Sequence, residues 1–127
     1  MNELSLRYGR DEDICYWYFL FETYNEMNIK PVYFCEKFNI PYRKFWNQIR
    51  LYRPPHPSPS VYRKYNDYYI KFCESDRTIR EFTNNINIRM STFDMWRRYF
   101  MTQERIEQLK NDDKLTKPSS LLYTGDN

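Results

Sequence analysis

The side chains of this sequence that could do chemistry lie mainly in the segment 42–64, which contains no acidic residue. It holds six cations and no carboxylate: Arg43, Lys44, Arg50, Arg53, Arg63 and Lys64. Guanidinium and ammonium groups at this density neutralise phosphate groups, and they also pair with guanine acceptors. Asn47 lies among them, and its carboxamide can form two hydrogen bonds with adenine. The segment therefore predicts recognition of nucleic acid.

A second basic segment, residues 77–98, carries five arginines against Glu81 and Asp94. We expect it to bind more weakly, because Asp94 would face the phosphates. The two segments together give the candidate DNA-binding residues Tyr42, Arg43, Lys44, Asn47, Arg50, Arg53, Arg89, Ser91, Thr92, Arg97 and Arg98. Trp46 has two open interpretations, since it is either exposed beside these residues or packed between the two halves of the chain.

Residues for enzymatic chemistry are scarce. The single histidine, His56, lies in a proline-rich segment, where no catalytic triad or zinc triad can be assembled around it. Gly9 and Gly125 are the only glycines, so no glycine-rich phosphate loop is expected. We therefore predict a protein that is not an enzyme and has no catalytic residue, metal or cofactor.

The composition predicts a small helical protein with an aromatic core. Phe, Trp and Tyr make up 20% of the 127 residues, and each buries a large area. Cys15, Cys35 and Cys73 are odd in number and lack the spacing of a metal site, so we expect reduced core cysteines in an intracellular protein. The sequence contains no apolar run of the length of a signal peptide or a membrane span.

An internal repeat organises the chain. A shift of 48 residues superposes Trp17 on Tyr65, Phe21 on Tyr69, Phe34 on Phe82, Asn39 on Asn87, Phe45 on Phe93 and Arg50 on Arg98. The matches are mostly apolar or turn positions, as a shared fold requires. We predict two small units, residues 13–53 (repeat 1) and residues 61–101 (repeat 2). They are joined by an extended proline-rich linker, residues 54–60, and flanked by a flexible N-terminus, residues 1–12, and by a helical extension and flexible tail, residues 102–127.

Each repeat shows the signals of three helices. Apolar side chains recur at helical spacing in the first helix of each repeat. The acidic residues 11–13 would stand at the start of this helix in repeat 1, and Ser60 would stand there in repeat 2. The second helix begins with Pro31 in repeat 1 and with a capping box from Thr78 to Glu81 in repeat 2. It should end at Phe38 and at Ile86.

The next residue is Asn39 in repeat 1 and Asn87 in repeat 2, and asparagine readily adopts the left-handed conformation that closes a helix. A third helix then begins near Pro41 and near Arg89. Its predicted buried faces are Phe45, Ile49 and Tyr52 in repeat 1, and Phe93, Trp96 and Phe100 in repeat 2.

Residues 78–82, 87–93 and 96–99 resemble the helix-turn-helix of bacterial transposases and their accessory proteins, and residues 32–52 resemble a diverged copy. A linked pair is also similar to the DNA-binding region of pogo-like transposases and their domesticated centromere-binding relatives. The usual turn glycine is asparagine in both copies, and the catalytic acidic domain of a transposase is absent.

The resemblance implies an all-α fold of two tandem three-helix, homeodomain-like units that bind a bipartite site on double-stranded DNA. It implies an accessory or regulatory role, with transposition, segregation and transcription all open and a recombinase or other complex subunit as a possible protein partner. The alternative function is a protein-interaction module on the same scaffold. The acid-free segment favours DNA. We expect no membrane association.

Overall fold

The computed structural model describes residues 10–124, and six α-helices make up most of this range. They are α1 (Asp11–Met27), α2 (Pro31–Phe38), α3 (Tyr42–Ile49), α4 (Pro59–Glu74), α5 (Ile79–Asn85) and α6 (Met90–Asn111). The described residues form no strand, so the predicted all-α class is confirmed. The predictions for residues 1–9 and 125–127 lie outside this range.

The helix boundaries follow the local signals in the sequence. The Thr78 hydroxyl accepts a hydrogen bond from the Glu81 amide at 3.2 Å, while the Glu81 carboxylate accepts one from the Thr78 amide at 2.9 Å. Pro31 occupies the first turn of α2. Asn39 and Asn87 have left-handed φ values of 59° and 57°. The capping box, the proline start and the two asparagine turns are all confirmed.

The first three helices enclose a core of buried aromatic and aliphatic side chains. Its members are Trp17, Leu20, Phe21, Phe34, Cys35, Ile40, Phe45 and Ile49. Tyr52 lies beyond the end of α3, yet its ring is 5.3 Å from that of Phe21. The predicted face of the third helix therefore packs as expected, although its last member belongs to the following turn.

A second core lies between α4 and α6, where Tyr69, Trp96, Tyr99 and Phe100 are buried together. The rings of Phe72, Phe82 and Phe93 meet beside it and join α4, α5 and α6. Phe93, Trp96 and Phe100 are buried as predicted. Cys15 and Cys35 are buried, whereas Cys73 is exposed, which corrects the prediction for that residue.

The C-terminal half of α6 joins the two halves of the chain. Ile106 and Leu109 are buried against Ile14 and Cys15 of α1. At the edge of this contact, Arg105 forms a bidentate pair with Asp11, with N–O distances of 3.0 and 2.6 Å. This packing, as well as the proline-rich linker, sets the relative positions of the two helix triplets.

The segment after α6 also packs against the first triplet, which corrects the prediction of a flexible tail. The Tyr16 hydroxyl donates to the Leu121 carbonyl at 2.8 Å, and the Tyr123 amide donates to the Phe38 carbonyl at 2.9 Å. Leu121 and Tyr123 pack on the first core and Leu115 on the α1–α6 contact. The tail is held because its few apolar side chains cover apolar surface that α1 leaves open.

Two segment boundaries differ from the predictions. Helix α1 begins at Asp11, inside the predicted flexible N-terminus, because its first turn carries three acidic residues that favour a helix start. Helix α4 begins at Pro59 with Ser58 at the N-cap, so the helix starts inside the predicted linker and Ser60 is not the cap. Proline is well suited to a first turn, where no amide donor is required.

Candidate nucleic-acid interface

The connections between the second and third helices are equivalent in the two repeats. In repeat 1 the Asn39 amide donates to the Glu36 carbonyl at 3.3 Å, and the Ile40 amide donates to the Cys35 carbonyl at 2.9 Å. In repeat 2, 48 residues later, the corresponding hydrogen bonds run from Asn87 to Asn84 at 3.3 Å and from Ile88 to Thr83 at 3.0 Å. Each turn therefore aims its third helix in the same way.

Helix α3 presents a polar face opposite its buried residues. Phe45 and Ile49 point into the core. Tyr42, Arg43, Asn47 and Arg50 are exposed, while Lys44 and Trp46 are half-buried. Because residues at spacings of three and four share a helix face, Arg43, Asn47 and Arg50 form one stripe. That stripe combines amide and guanidinium donors, which suit base edges and phosphates.

A partly open groove of about 1250 Å³ is lined by residues from the start of α1, α3, the connection after α3, α6 and the C-terminal segment. We call it the basic groove. Its cationic lining residues are Arg10, Lys44, Arg50, Arg53 and Arg98, and within residues 10–124 Asp13 is the only carboxylate that lines it. Asp13 is itself 4.0 Å from the Arg10 guanidinium. The groove therefore concentrates positive charge and suits a polyanion.

Aromatic and amide side chains complete the lining of the basic groove. The aromatic ones are Tyr16, Trp17, Trp46, Tyr52 and Tyr123, and the amides are Asn47 and Gln48. The Arg53 guanidinium lies 5.7 Å from the centre of the Trp46 ring, a cation–π distance that orients the arginine. Trp46 is thus neither fully exposed nor fully packed between the triplets, but half-buried in the groove wall.

The tyrosines of the groove do not add negative charge at neutral pH. Burial raises the pKa of Tyr52 well above its usual range, and the nearby carboxylate of Asp13 raises it further. Burial and the neighbouring Tyr123 likewise raise the pKa of Tyr16. Both hydroxyls therefore stay protonated and contribute no negative charge to the groove.

The groove brings together five of the eleven predicted site residues: Lys44, Asn47, Arg50, Arg53 and Arg98. Tyr42 and Arg43 lie outside it at the exposed start of α3. Arg89 and Ser91 are exposed at the start of α6, and Thr92 is half-buried there; none of the three lines the groove.

The prediction that Arg97 is an exposed DNA contact is wrong. Its side chain is only 5% exposed. Its Nε and Nη2 donate to one oxygen of Asp94, at 3.0 and 2.7 Å, and its Nη1 lies 3.3 Å from the sulfur of Met101. The position follows Phe93 by one helical turn, and so it shares the buried side of α6.

Arg10 and Tyr123 are among the groove residues that were not predicted from the sequence. Arg10 stands beside the acidic start of α1, in a segment whose net charge is negative, so nothing in the pattern separated it from a solvated surface residue. Tyr123 has a weak signal, since it closes the only apolar run in the tail, residues 121–123. An apolar run after a long helix is a reason to expect packing.

No helix within residues 10–124 is both long and apolar enough to cross a membrane. In the same range, no cluster of three or more His, Cys, Asp or Glu side chains is placed to hold a metal ion. The chain matches no family model, no curated protein and no solved structure.

Proposed function

We propose that this protein binds duplex DNA through two tandem helix-turn-helix units, α1–α3 and α4–α6, with α3 as the main recognition helix. The observation that carries the proposal is the placement of the α3 polar stripe at the edge of the basic groove. Base-reading and phosphate-binding side chains then lie side by side on one surface, as DNA recognition requires.

The division of roles follows from exposure. Tyr42 and Arg43 stand at the exposed start of α3, the end of a recognition helix that contacts base edges in the major groove. Arg50 and Arg53 lie nearer the connection that leaves α3, and we assign them to phosphates. Asn47 lies between the two groups and is assigned to a base edge.

The wider role that we propose is that of a transposon-related accessory protein or regulator inside the cell. It rests on the resemblance of residues 78–99 to transposase helix-turn-helix segments and on the equivalent turns at Asn39 and Asn87. Under this proposal the protein has no catalytic residue and needs no cofactor.

The test begins with a duplex selected from a random pool, whose binding is measured across a salt series. Six phosphate contacts would give a log–log slope of about −5. The variants Arg43→Ala and Lys44→Ala should weaken binding more than Arg98→Ala does. Lys71→Ala removes one exposed charge from the far end of α4 and is the control. Binding that is absent at low salt, or insensitive to salt, would refute the proposal.

A second candidate function, protein interaction, is favoured by one observation. Val32 and Tyr33 of α2 and Tyr42 of α3 are exposed by 48%, 59% and 50%. Exposed apolar and aromatic side chains are enriched at protein interfaces. A recombinase or another subunit of a DNA-processing complex is the partner class. Loss of complex formation on Tyr33→Ser, with DNA affinity unchanged, would show that this surface serves a protein partner.

A further inference from the structure

The repeat places equivalent positions of the two third helices on the same cavity. Asn47 of α3 and Arg50, which caps the C-terminal end of α3, line the basic groove, and so do Met95 and Arg98 of α6, which follow them by 48 residues. Two units joined only by a linker would not need to place these equivalent positions on the same cavity. Here the corresponding polar faces of both units border one space.

Packing outside the groove holds this arrangement in place. The second half of α6 is buried against α1 through Ile106 and Leu109, and Arg105 pairs with Asp11. Gln103 also donates to the Leu51 carbonyl at 3.2 Å, which ties α6 to the connection that leaves α3. Because α6 is one continuous helix, contacts at its C-terminal half also position Met95 and Arg98.

We infer that α3 and α6 act on one continuous segment of DNA in a single composite site, with Arg98 as a phosphate contact of that site. This inference rests on the proposed function. It places both units on one shared site and not on two separate parts of a bipartite site. Two recognition helices in adjacent major grooves would have to lie 34–36 Å apart along the duplex. Side chains that line the basic groove together would instead contact the same segment of the DNA backbone.

The exposure and charge of Arg98 support its assignment as a phosphate contact on the side of the basic groove that α6 forms. Arg98 is 53% exposed, and its nearest carboxylate, on Asp94, is 3.9 Å away. That carboxylate is already engaged by Arg97 at 2.7 Å. Arg98 lines the basic groove together with the cations Arg50 and Arg53. Met95, 41% exposed beside it, offers an apolar surface for a sugar or a base methyl group.

The experiment uses the full chain and a hairpin duplex of roughly 8 base pairs that carries the selected site, which is shorter than the 10–10.5 base pairs of one helical turn. A composite site predicts one protein per hairpin. It also predicts that Arg50→Ala and Arg98→Ala each weaken binding to this hairpin several-fold and each reduce the magnitude of the salt slope by about 1. Lys71→Ala is the matched loss of charge outside the groove, and circular dichroism checks that every variant is folded.

The other outcomes separate this inference from the proposed function. If Arg43→Ala and Arg50→Ala weaken hairpin binding while Arg98→Ala leaves it unchanged, the protein binds DNA but the composite site is wrong. If each protein binds two hairpins, the two units are independent and the composite site is again wrong. If a single strand of the same sequence binds as tightly as the hairpin, the assignment to duplex DNA fails. If the hairpin does not bind while the full selected duplex does, the composite site is wrong and the proposed function stands. If the full duplex does not bind either, both proposals fail.

Discussion

Arg97 and Asp94 form an internal pair on one turn of α6, with Nη2 and Oδ1 2.7 Å apart. The pair removes from the surface an arginine that the sequence offers as a DNA contact. It also neutralises the carboxylate that would have repelled phosphates from the second unit. The adjacent Arg98 then carries the accessible positive charge of this turn of α6, because its side chain is half-exposed.

The neighbours Arg97 and Arg98 should therefore give opposite phenotypes on substitution. Arg97→Ala removes hydrogen bonds from a buried guanidinium, and we expect the free energy of unfolding to fall by about 1.5–3 kcal/mol. Arg98→Ala lies on the surface and should change it by less than about 0.5 kcal/mol, while weakening binding to duplex DNA. Urea denaturation and a binding titration on the same preparations measure both quantities. Equal loss of stability in the two variants would contradict the prediction.

The asparagines that close the second helices should respond differently to alanine and to glycine. Asn39 and Asn87 have left-handed φ values of 59° and 57°, a conformation that costs a residue with a Cβ roughly 1–2 kcal/mol. We expect Asn39→Ala and Asn87→Ala to lower the free energy of unfolding by about 1 kcal/mol, and the glycine variants to change it little. Thermal or urea unfolding of the four variants checks this. Glycine variants as unstable as the alanine variants would point to a side-chain role instead.

The segment 114–124 should contribute to stability even though it forms no helix or strand. A chain that ends at Asp113 loses Leu115, Leu121 and Tyr123, which pack on α1 and the first core. Because each is only half-buried, we expect a combined loss of about 2–4 kcal/mol in the free energy of unfolding. Urea denaturation of the full and shortened chains measures this. Lys117→Ala, at an exposed position in the same segment, is the control. Unchanged stability after truncation would show that these contacts do not hold the tail.

The capping box of α5 should give a contribution to stability that depends on pH. Hydrogen bonding to the Thr78 backbone amide, and then to its side chain, lowers the pKa of Glu81. A lowered pKa in the folded protein means that the ionised carboxylate stabilises the fold above the unfolded pKa of about 4.3, and that this contribution disappears as the pH falls through the folded value. The Tm of the wild type should exceed that of Glu81→Ala at neutral pH, and the difference should shrink below about pH 4.

The control for this experiment is Glu81→Gln. Glutamine keeps an acceptor for the capping box but does not titrate. The Tm of Glu81→Gln relative to Glu81→Ala should therefore stay constant over the same pH range. A wild-type advantage that grows toward low pH would contradict the sign of the predicted effect.

Local features of this fold could be predicted from the sequence because their causes are local. The capping box at Thr78 and Glu81 involves backbone groups only three residues away. The left-handed turns at Asn39 and Asn87 depend on the conformational preference of a single residue. The buried faces of the third helices follow from helical periodicity, which a sequence displays directly.

The candidate site was only partly predictable from the sequence, because the packing of neighbouring segments decides which side chains of a helix are exposed. Arg97 and Arg98 are adjacent and chemically identical, so no composition or charge count distinguishes the buried one from the exposed one. Arg10 reaches the groove from the start of α1, far along the chain from the other cations. The two arginines are distinguished only when α6 is packed against its neighbours, which buries the side chain of Arg97 and leaves that of Arg98 exposed.

The sequence by itself therefore determined the six helices, the capping box of α5, the two repeat-related turns and the basic character of residues 42–64. Each of these depends on interactions within a few residues. Only the tertiary structure decided which arginines remain exposed, that the tail is packed, and that α3 and α6 face one groove. These properties depend on burial between segments distant in the chain, such as Ile14 against Leu109, and that burial is set by the complementary shape of whole surfaces.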